Sequence, residues 1–157
     1  MREVAAILDE ISAMPAFLES ALGARNAEAL AWRPGPELFS LVEHACHLRD
    51  LEREGYLVRL RGMLSERVPE LTWFDGTTIA KQRDYRAQDA RAAAREFARA
   101  RAELVAAAAA LTPAHLASEA TFGGERITLA RLLAMVAGHD GEHRREIEEL
   151  LAHPSCP

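Results

Sequence analysis

The segment TLARLLAMVAGHDGEHRREIEELLA, residues 128–152, decides the fold of this chain. Its apolar side chains recur at spacings of three and four residues, and this pattern predicts an amphipathic helix with one buried face. Thr128 is the predicted N-cap, with Ile127 and Leu132 placed to form a hydrophobic staple around it. His139 and His143 lie on the same apolar face. The segment therefore predicts a core helix that carries two imidazoles inward.

Three further segments show helical periodicity. The first predicted helix runs from about Arg2 to Leu22, with Gly23 as its stop and a kink at Pro15, because proline removes a backbone donor and clashes with the preceding turn. The second runs from near Glu37 to about Ser65, and the third from about Thr77 to Leu111.

The run TPAHLASEATFGGERI, residues 112–127, resists helix formation because Pro113 and the pair Gly123-Gly124 interrupt it. We expect an irregular crossing there, with a short turn of its own. Four helices, with no internal repeat and no long linker, predict an all-α fold: a single four-helix bundle domain over residues 1–157.

Composition narrows the functional classes. Apolar residues make up 49% of the chain and charged residues 27%, which is typical of a soluble globular protein. The formal charge of -5 and the absence of a basic run argue against nucleic acid as a partner. No apolar run is long enough to span a membrane, and acids interrupt the N-terminal MREVAAILDEIS where a signal peptide would be apolar. We therefore expect a cytoplasmic protein without a membrane partner.

The two histidines of residues 128–152 are four apart, so they project from one side of a helix and can bind one metal ion. The alternative is a pair of core histidines satisfied by neighbouring polar groups. A third ligand is available in LVEHACHLRDLE, where the spacing leaves His44 and His47 both possible. Three imidazoles favour a divalent transition metal, such as zinc or nickel, over calcium or magnesium. Three protein ligands would also leave coordination positions open for a substrate.

At these residues the chain resembles the DinB/YfiT-like superfamily of bacterial metal-binding four-helix bundles, over nearly its whole length. The motifs that carry the resemblance are Arg33-Pro34, Phe39-Ser40, Glu43 with His47-Leu48-Arg49-Asp50, and His139-Asp140 with His143. The resemblance implies that His47, rather than His44, completes the metal site. It also implies a homodimer. Two positions depart from the family pattern: Phe39 stands where tryptophan is common, and Glu146 where glutamine is common.

The family includes metal-dependent transferases that use a low-molecular-weight thiol, a thiol-dependent isomerase and relatives of hydrolases. By resemblance we expect a metal-dependent thiol S-transferase acting on a small molecule. The first alternative is a metal-dependent hydrolase of a small ester or amide, which needs a general base, and Glu43 or Asp140 would have to supply it. The second is a non-catalytic metal-binding stress-response module.

Two further side chains have competing interpretations. Arg101 lies on the third helix between Phe97 and Leu104. It either binds an anionic thiol cosubstrate or pairs with a structural acid, and the ion pair is the interpretation that long side chains favour. Glu146 follows His143 by one turn, and we expect it to be solvated rather than to contact that ligand.

Overall fold

The first bundle arm is two helices in series. The computed structural model describes residues 3–157, so the predicted start at Arg2 lies outside the described residues. Helix α1 spans Val4–Ser12 and α2 spans Met14–Leu22. The break falls at Ala13, which places Pro15 in the first turn of α2, where its missing N–H has no intrahelical partner to lose. Gly23 ends α2 with a φ of 49°, as predicted for a helix stop.

The second arm is a long helix that contains a π-helical segment. A short helix, α3 (Ala27–Ala31), precedes it. Helix α4 spans Leu41–Asp50, a π-helical segment spans Leu51–Tyr56, and α5 spans Leu57–Ser65. The predicted start at Glu37 is wrong, because Ser40 caps α4: its hydroxyl accepts from the Glu43 N–H, and the Glu43 side chain accepts from the Ser40 N–H.

The continuous third helix predicted from Thr77 to Leu111 is wrong. Helix α6 spans Gly76–Gln82, a 3-10 turn spans Tyr85–Ala87, and α7 spans Ala90–Ala109. The chain reverses at Asp84, whose φ is 45°, and the buried Tyr85 donates its hydroxyl to Asp50. Asp89 then caps α7 by accepting from two backbone N–H groups. Capping and the Tyr85 anchor therefore outweigh the high helix propensity of this region.

The expected irregular crossing before the last helix contains regular structure. The region contains helix α8 (Pro113–Leu116) and strands β2 (Glu119–Phe122) and β3 (Glu125–Thr128). A third strand, β1 (Glu70–Leu71), lies earlier in the chain. Strand β2 pairs antiparallel with β3 and parallel with β1. Gly123 and Gly124 form the hairpin turn with φ values of 60° and 84°, which glycine adopts without strain.

The last helix, α9 (Leu129–Ala152), begins where predicted, because the Thr128 hydroxyl accepts from the Arg131 N–H. The α1–α2 arm, the α4–α5 arm, α7 and α9 pack together around two apolar clusters. The predicted all-α four-helix bundle is confirmed, and the three-stranded sheet is a small addition to it. Within residues 3–157, no helix has the length and hydropathy needed to cross a bilayer.

Candidate metal centre

The structure brings together His47 of α4 and His139 and His143 of α9. The Nε2 atoms of His47 and His139 lie 3.2 Å apart, and those of His139 and His143 lie 3.0 Å apart. Each residue thus presents a ring nitrogen to one shared point. The i, i+4 spacing on α9 and the packing of α4 against α9 produce this convergence.

This arrangement passes a simple test of fit to a divalent metal. Zinc–imidazole bonds measure about 2.0–2.1 Å, so two nitrogens on one ion lie about 3.0–3.4 Å apart, depending on the coordination geometry. Both nitrogen–nitrogen distances fall in this interval. Three lone pairs that point at one another repel unless a proton or a cation lies between them, and a single cation accepts all three.

The electrostatics favour the neutral imidazole that a metal needs. Burial, with a smaller contribution from the neighbouring His143, lowers the pKa of His47 to about 3. Burial, and then the other histidines, lowers the pKa of His139 to about 2. The Nδ1 atoms of these two residues are buried and have no hydrogen-bond partner within residues 3–157. The rings are therefore held by packing, with their Nε2 lone pairs available.

His44, the competitor for the third ligand position, is placed behind the triad. Its Nδ1 lies 2.8 Å from Nδ1 of His143, whose Nε2 faces the other ligands. If Nε2 of His143 binds a metal, its proton must be on Nδ1, and that N–H donates to His44. Burial lowers the pKa of His44 well below its usual range, which keeps it neutral and able to accept. His44 thus orients a ligand, although it also lies in a second group with His143 and Glu146 that could hold an ion.

Glu146 departs from the expectation of a purely solvated side chain. Its carboxylate lies 3.3 Å from Nδ1 of His143 and 3.9 Å from Nδ1 of His44, although the side chain stays half exposed. The contact with His143 lowers the pKa of the Glu146 carboxyl. A carboxylate beside the free nitrogen of a metal-binding imidazole raises the basicity of that ligand.

The ring of His47 packs against Phe39, Phe74 and Gly76. Phe39 and Phe74 have ring centroids 5.6 and 5.9 Å from that of the imidazole. Gly76, the first residue of α6, lies against the ring: a Cβ on Gly76 would stand 2.4 Å from Cε1 and 2.5 Å from Nδ1 of His47. Asp75 caps α6 by accepting from the Thr78 N–H, which fixes Gly76 in this place. The sequence signal was the Asp-Gly pair at a helix start.

Two cavities reach the triad from different sides. One, of about 460 Å³, is lined by His44, His47, His143 and Glu146 together with Phe39 and Thr77. The other, of about 430 Å³, is lined by His47, His139, Arg59 and aromatic side chains. Either is large enough for a small molecule. A ligand can therefore approach the histidine nitrogens from solvent.

The carboxylate of Glu43, predicted as a general base, is held by hydrogen bonds within the protein. Its carboxylate accepts from the N–H and the hydroxyl of Ser40, at 2.8 Å each, and from Arg33 at 3.0 Å. It is the capping residue of α4 and half of an ion pair. Neither contact points it toward the histidine nitrogens.

Asp140 and Arg101 belong to a separate buried cluster. Arg101 donates to both oxygens of Glu52, to both oxygens of Asp140 and to the backbone carbonyl of Ile11, so all five of its N–H groups are engaged. These contacts agree with the interpretation of Arg101 as half of a structural ion pair, and they leave no N–H group for the predicted binding of an anionic cosubstrate. Asp140, predicted as the alternative base, accepts hydrogen bonds from Arg101 on both of its carboxylate oxygens. Glu52 comes from the π-helical segment, which no sequence pattern indicated.

Comparisons with known proteins agree with this architecture. The model of the DinB superfamily matches residues 10–147. The structure is similar to YfiT from Bacillus subtilis, described as "a probable metal-dependent hydrolase with an unusual four-helix bundle topology", with a TM-score of 0.86, 19% identity, and coverage of 94% of this chain and 85% of that chain. No functionally curated protein matches the sequence. The family match spans most of the chain and includes all three converging histidines, so this protein belongs to the DinB superfamily.

Proposed function

We propose that this protein is a metal-dependent transferase that adds a low-molecular-weight thiol to a small electrophile. The observation that carries the proposal is the convergence of three imidazole Nε2 atoms, 3.2 Å apart for His47 and His139 and 3.0 Å apart for His139 and His143, where two cavities meet. Three protein ligands leave positions for a substrate atom, which is the pattern of catalytic rather than structural sites.

In this proposal each site residue has a defined task. His47, His139 and His143 hold a divalent metal, which when bound lowers the pKa of a coordinated thiol. His44 and Glu146 hold the His143 ring in place through Nδ1. The thiol sulfur forms a bond to the electrophilic carbon, the leaving group departs with its electron pair, and the thiol proton passes to solvent. The chain need only position the two reactants.

The contacts of the candidate bases favour thiol transfer over hydrolysis. Hydrolysis requires a general base near the attacking water. Glu43 caps a helix and Asp140 pairs with Arg101, so neither acid is free for that task. A thiol is acidic enough to ionise on a metal without such a base. The same site therefore supports thiol chemistry with the residues that it has.

The test combines metal analysis with a conjugation assay. Wild type and the His47→Ala, His139→Ala and His143→Ala variants are analysed for bound zinc and nickel, then assayed with glutathione, mycothiol and bacillithiol against a panel of electrophiles. His115→Ala, a histidine outside the site, is the matched control. We expect the three ligand variants to lose metal and turnover together. Equal metal content in all five proteins, or turnover in the wild type no greater than in His47→Ala, contradicts the proposal.

Hydrolysis of a small ester or amide is a second candidate, and one observation favours it. Glu146 is half exposed and lines the cavity of about 460 Å³ that reaches His47 and His143. If Glu146 acts as the base, Glu146→Gln loses hydrolysis of an ester panel by at least about 100-fold while keeping its metal. Equal hydrolysis by Glu146→Gln and wild type rules out that role. The homodimer implied by the family resemblance stays a prediction, which light scattering can check.

A further inference from the structure

Arg59 of α5 is a buried cation beside the metal centre. Its residue exposure is 6%, and it lines the cavity of about 430 Å³ that also contains His47 and His139. We call this cavity the Arg59 pocket. The pocket is formed where α5, the segment after β1 and the α9 helix meet. No sequence pattern distinguished this arginine from its exposed neighbours Arg53 and Arg61.

The guanidinium of Arg59 is only partly satisfied by the protein. Nη2 donates to the backbone carbonyl of Thr72 at 2.8 Å, which is its one hydrogen bond within residues 3–157. Nε is buried without a partner, and no carboxylate of the described residues forms an ion pair with Arg59. By contrast, all five donors of Arg101 are engaged. A buried charge without a counter-ion is costly, so a cation in this state indicates a missing anion.

The walls of the Arg59 pocket suit an organic anion. The guanidinium carbon lies 4.8 Å from the ring centroid of Phe122 and 5.5 Å from that of Tyr56. Trp73 stacks on Phe122 and is 73% exposed, so an apolar surface continues to the mouth. The remaining charged residues of the lining are Arg131 and Glu142. The lining thus carries two positive charges and one negative charge beside aromatic rings.

We propose that the Arg59 pocket binds the carboxylate of a small organic acid, with the guanidinium of Arg59 as its principal donor. Nη1 of Arg59 makes no hydrogen bond within residues 3–157, so this donor is left for a carboxylate with a single negative charge, whereas phosphate, with up to two charges, is better served by a cluster of cations. The pocket reaches His47 and His139, so an acid held there extends toward the metal ligands. If the thiol transfer proposed above is correct, the thiol substrate therefore carries a carboxylate; this inference rests on the proposed function.

Calorimetry with a matched pair of thiols tests the proposal. The probes are 3-mercaptopropionate and 3-mercaptopropionamide, which differ in charge but hardly in shape, titrated into zinc-loaded wild type, Arg59→Met and Arg59→Lys. Arg53→Met, an exposed arginine paired with Glu96, is the control. We expect wild type and Arg53→Met to bind the acid about tenfold or more tighter than the amide, since hydrogen bonds to charged groups are worth that much. Arg59→Met should lose this preference, and Arg59→Lys should keep part of it.

Binding to the metal-free protein separates this proposal from the proposed function. Propionate and propionamide have no thiol, so any preference for propionate reports on the pocket alone. A preference that is present in wild type and absent in Arg59→Met supports the pocket even if no thiol is ever transferred. If Arg59→Met fails to fold by circular dichroism, Arg59→Lys decides the outcome. Equal affinity for acid and amide in wild type, an unchanged preference in a folded Arg59→Met, or tighter binding of inorganic phosphate than of propionate overturns the proposal.

Discussion

Adding a single methyl group at Gly76 should weaken metal binding without touching a ligand. In Gly76→Ala the new Cβ would stand 2.4 Å from Cε1 of His47, whereas carbon atoms pack at about 3.5–4.0 Å. Either the imidazole or the start of α6 must therefore shift by about 1 Å. Metal–ligand distances are held to within about 0.2 Å, so a displacement of this size removes His47 from its position. We expect zinc affinity to fall by about 10- to 100-fold, as for other changes that displace a metal ligand indirectly.

The assay is competition with a chromophoric chelator, together with metal analysis of the purified proteins. Gly62→Ala is the matched control, because a Cβ at Gly62 meets no atom within 4 Å. That control should bind zinc like the wild type and gain about 0.5–1 kcal/mol of stability from the helix interior of α5. Wild-type zinc affinity in Gly76→Ala, measured in a protein with normal helical content, would refute the argument that His47 is held in place by contact with α6.

The other predictions concern stability and reactivity. Arg101→Met should destabilise the fold by about 3–5 kcal/mol in urea unfolding, because it leaves two buried carboxylates without their cation; a loss below about 1 kcal/mol would contradict the role of that cluster. Iodoacetamide at pH 8 should label Cys156 and spare Cys46, since burial raises the pKa of the Cys46 thiol to about 12. Mass spectrometry measures the labelling of each cysteine, and rapid labelling of both would show that Cys46 is accessible to solvent. The metal-free protein should lose stability as the pH falls from about 6.5 toward 3. In this range His47 and His139 become protonated in the unfolded chain, whereas their lowered pKa values keep them neutral in the folded protein. The slope is about 1.4 kcal/mol per pH unit for each histidine, and a flat dependence of unfolding free energy on pH would argue against their burial in the neutral form.

The parts of the fold that the sequence predicted well are those in which local signals and packing agree. In α9 the periodic apolar residues, the Thr128 cap and the buried face all indicate the same helix. The two histidines of that helix converge because their spacing is local. For the same reason the stop at Gly23 and the break next to Pro15 were predictable. Both depend on backbone properties of single residues.

The errors arose where a distant contact overrides helix propensity. The region of residues 77–111 is rich in alanine and arginine, yet Tyr85 turns inward to meet Asp50, thirty-five positions earlier in the chain. Strand β2 also pairs with β1, which lies about fifty residues upstream. The π-helical segment has no sequence signature of its own, although it places Glu52 against Arg101. Such pairings require tertiary structure, and a single sequence contains no record of them.

In the candidate site, too, local spacing predicted one part of the arrangement and tertiary contacts determined the rest. Local spacing left His44 and His47 as equal competitors, and only the family motif favoured His47. The structure puts His47 at the converging Nε2 atoms and gives His44 a place behind His143. Gly76 and Arg59 were beyond prediction, because their importance comes from what lies against them in space. The Asp75-Gly76 pair indicates a helix start but not the contact with His47, and Arg59 carries no signal at its position in the sequence.

The bundle contains two buried polar clusters, and the difference between them indicates where a ligand acts. Around Arg101 every donor meets an acceptor of the protein, so an incoming molecule would have to break an existing hydrogen bond. Around His139 the Nε2 atoms of three imidazoles face one another, and their lone pairs repel unless a proton or a cation lies between them. Unsatisfied buried polar groups are costly, and a fold retains them where a ligand completes them. The first cluster therefore stabilises the bundle, and the second leaves its polar groups for a metal and a substrate to satisfy.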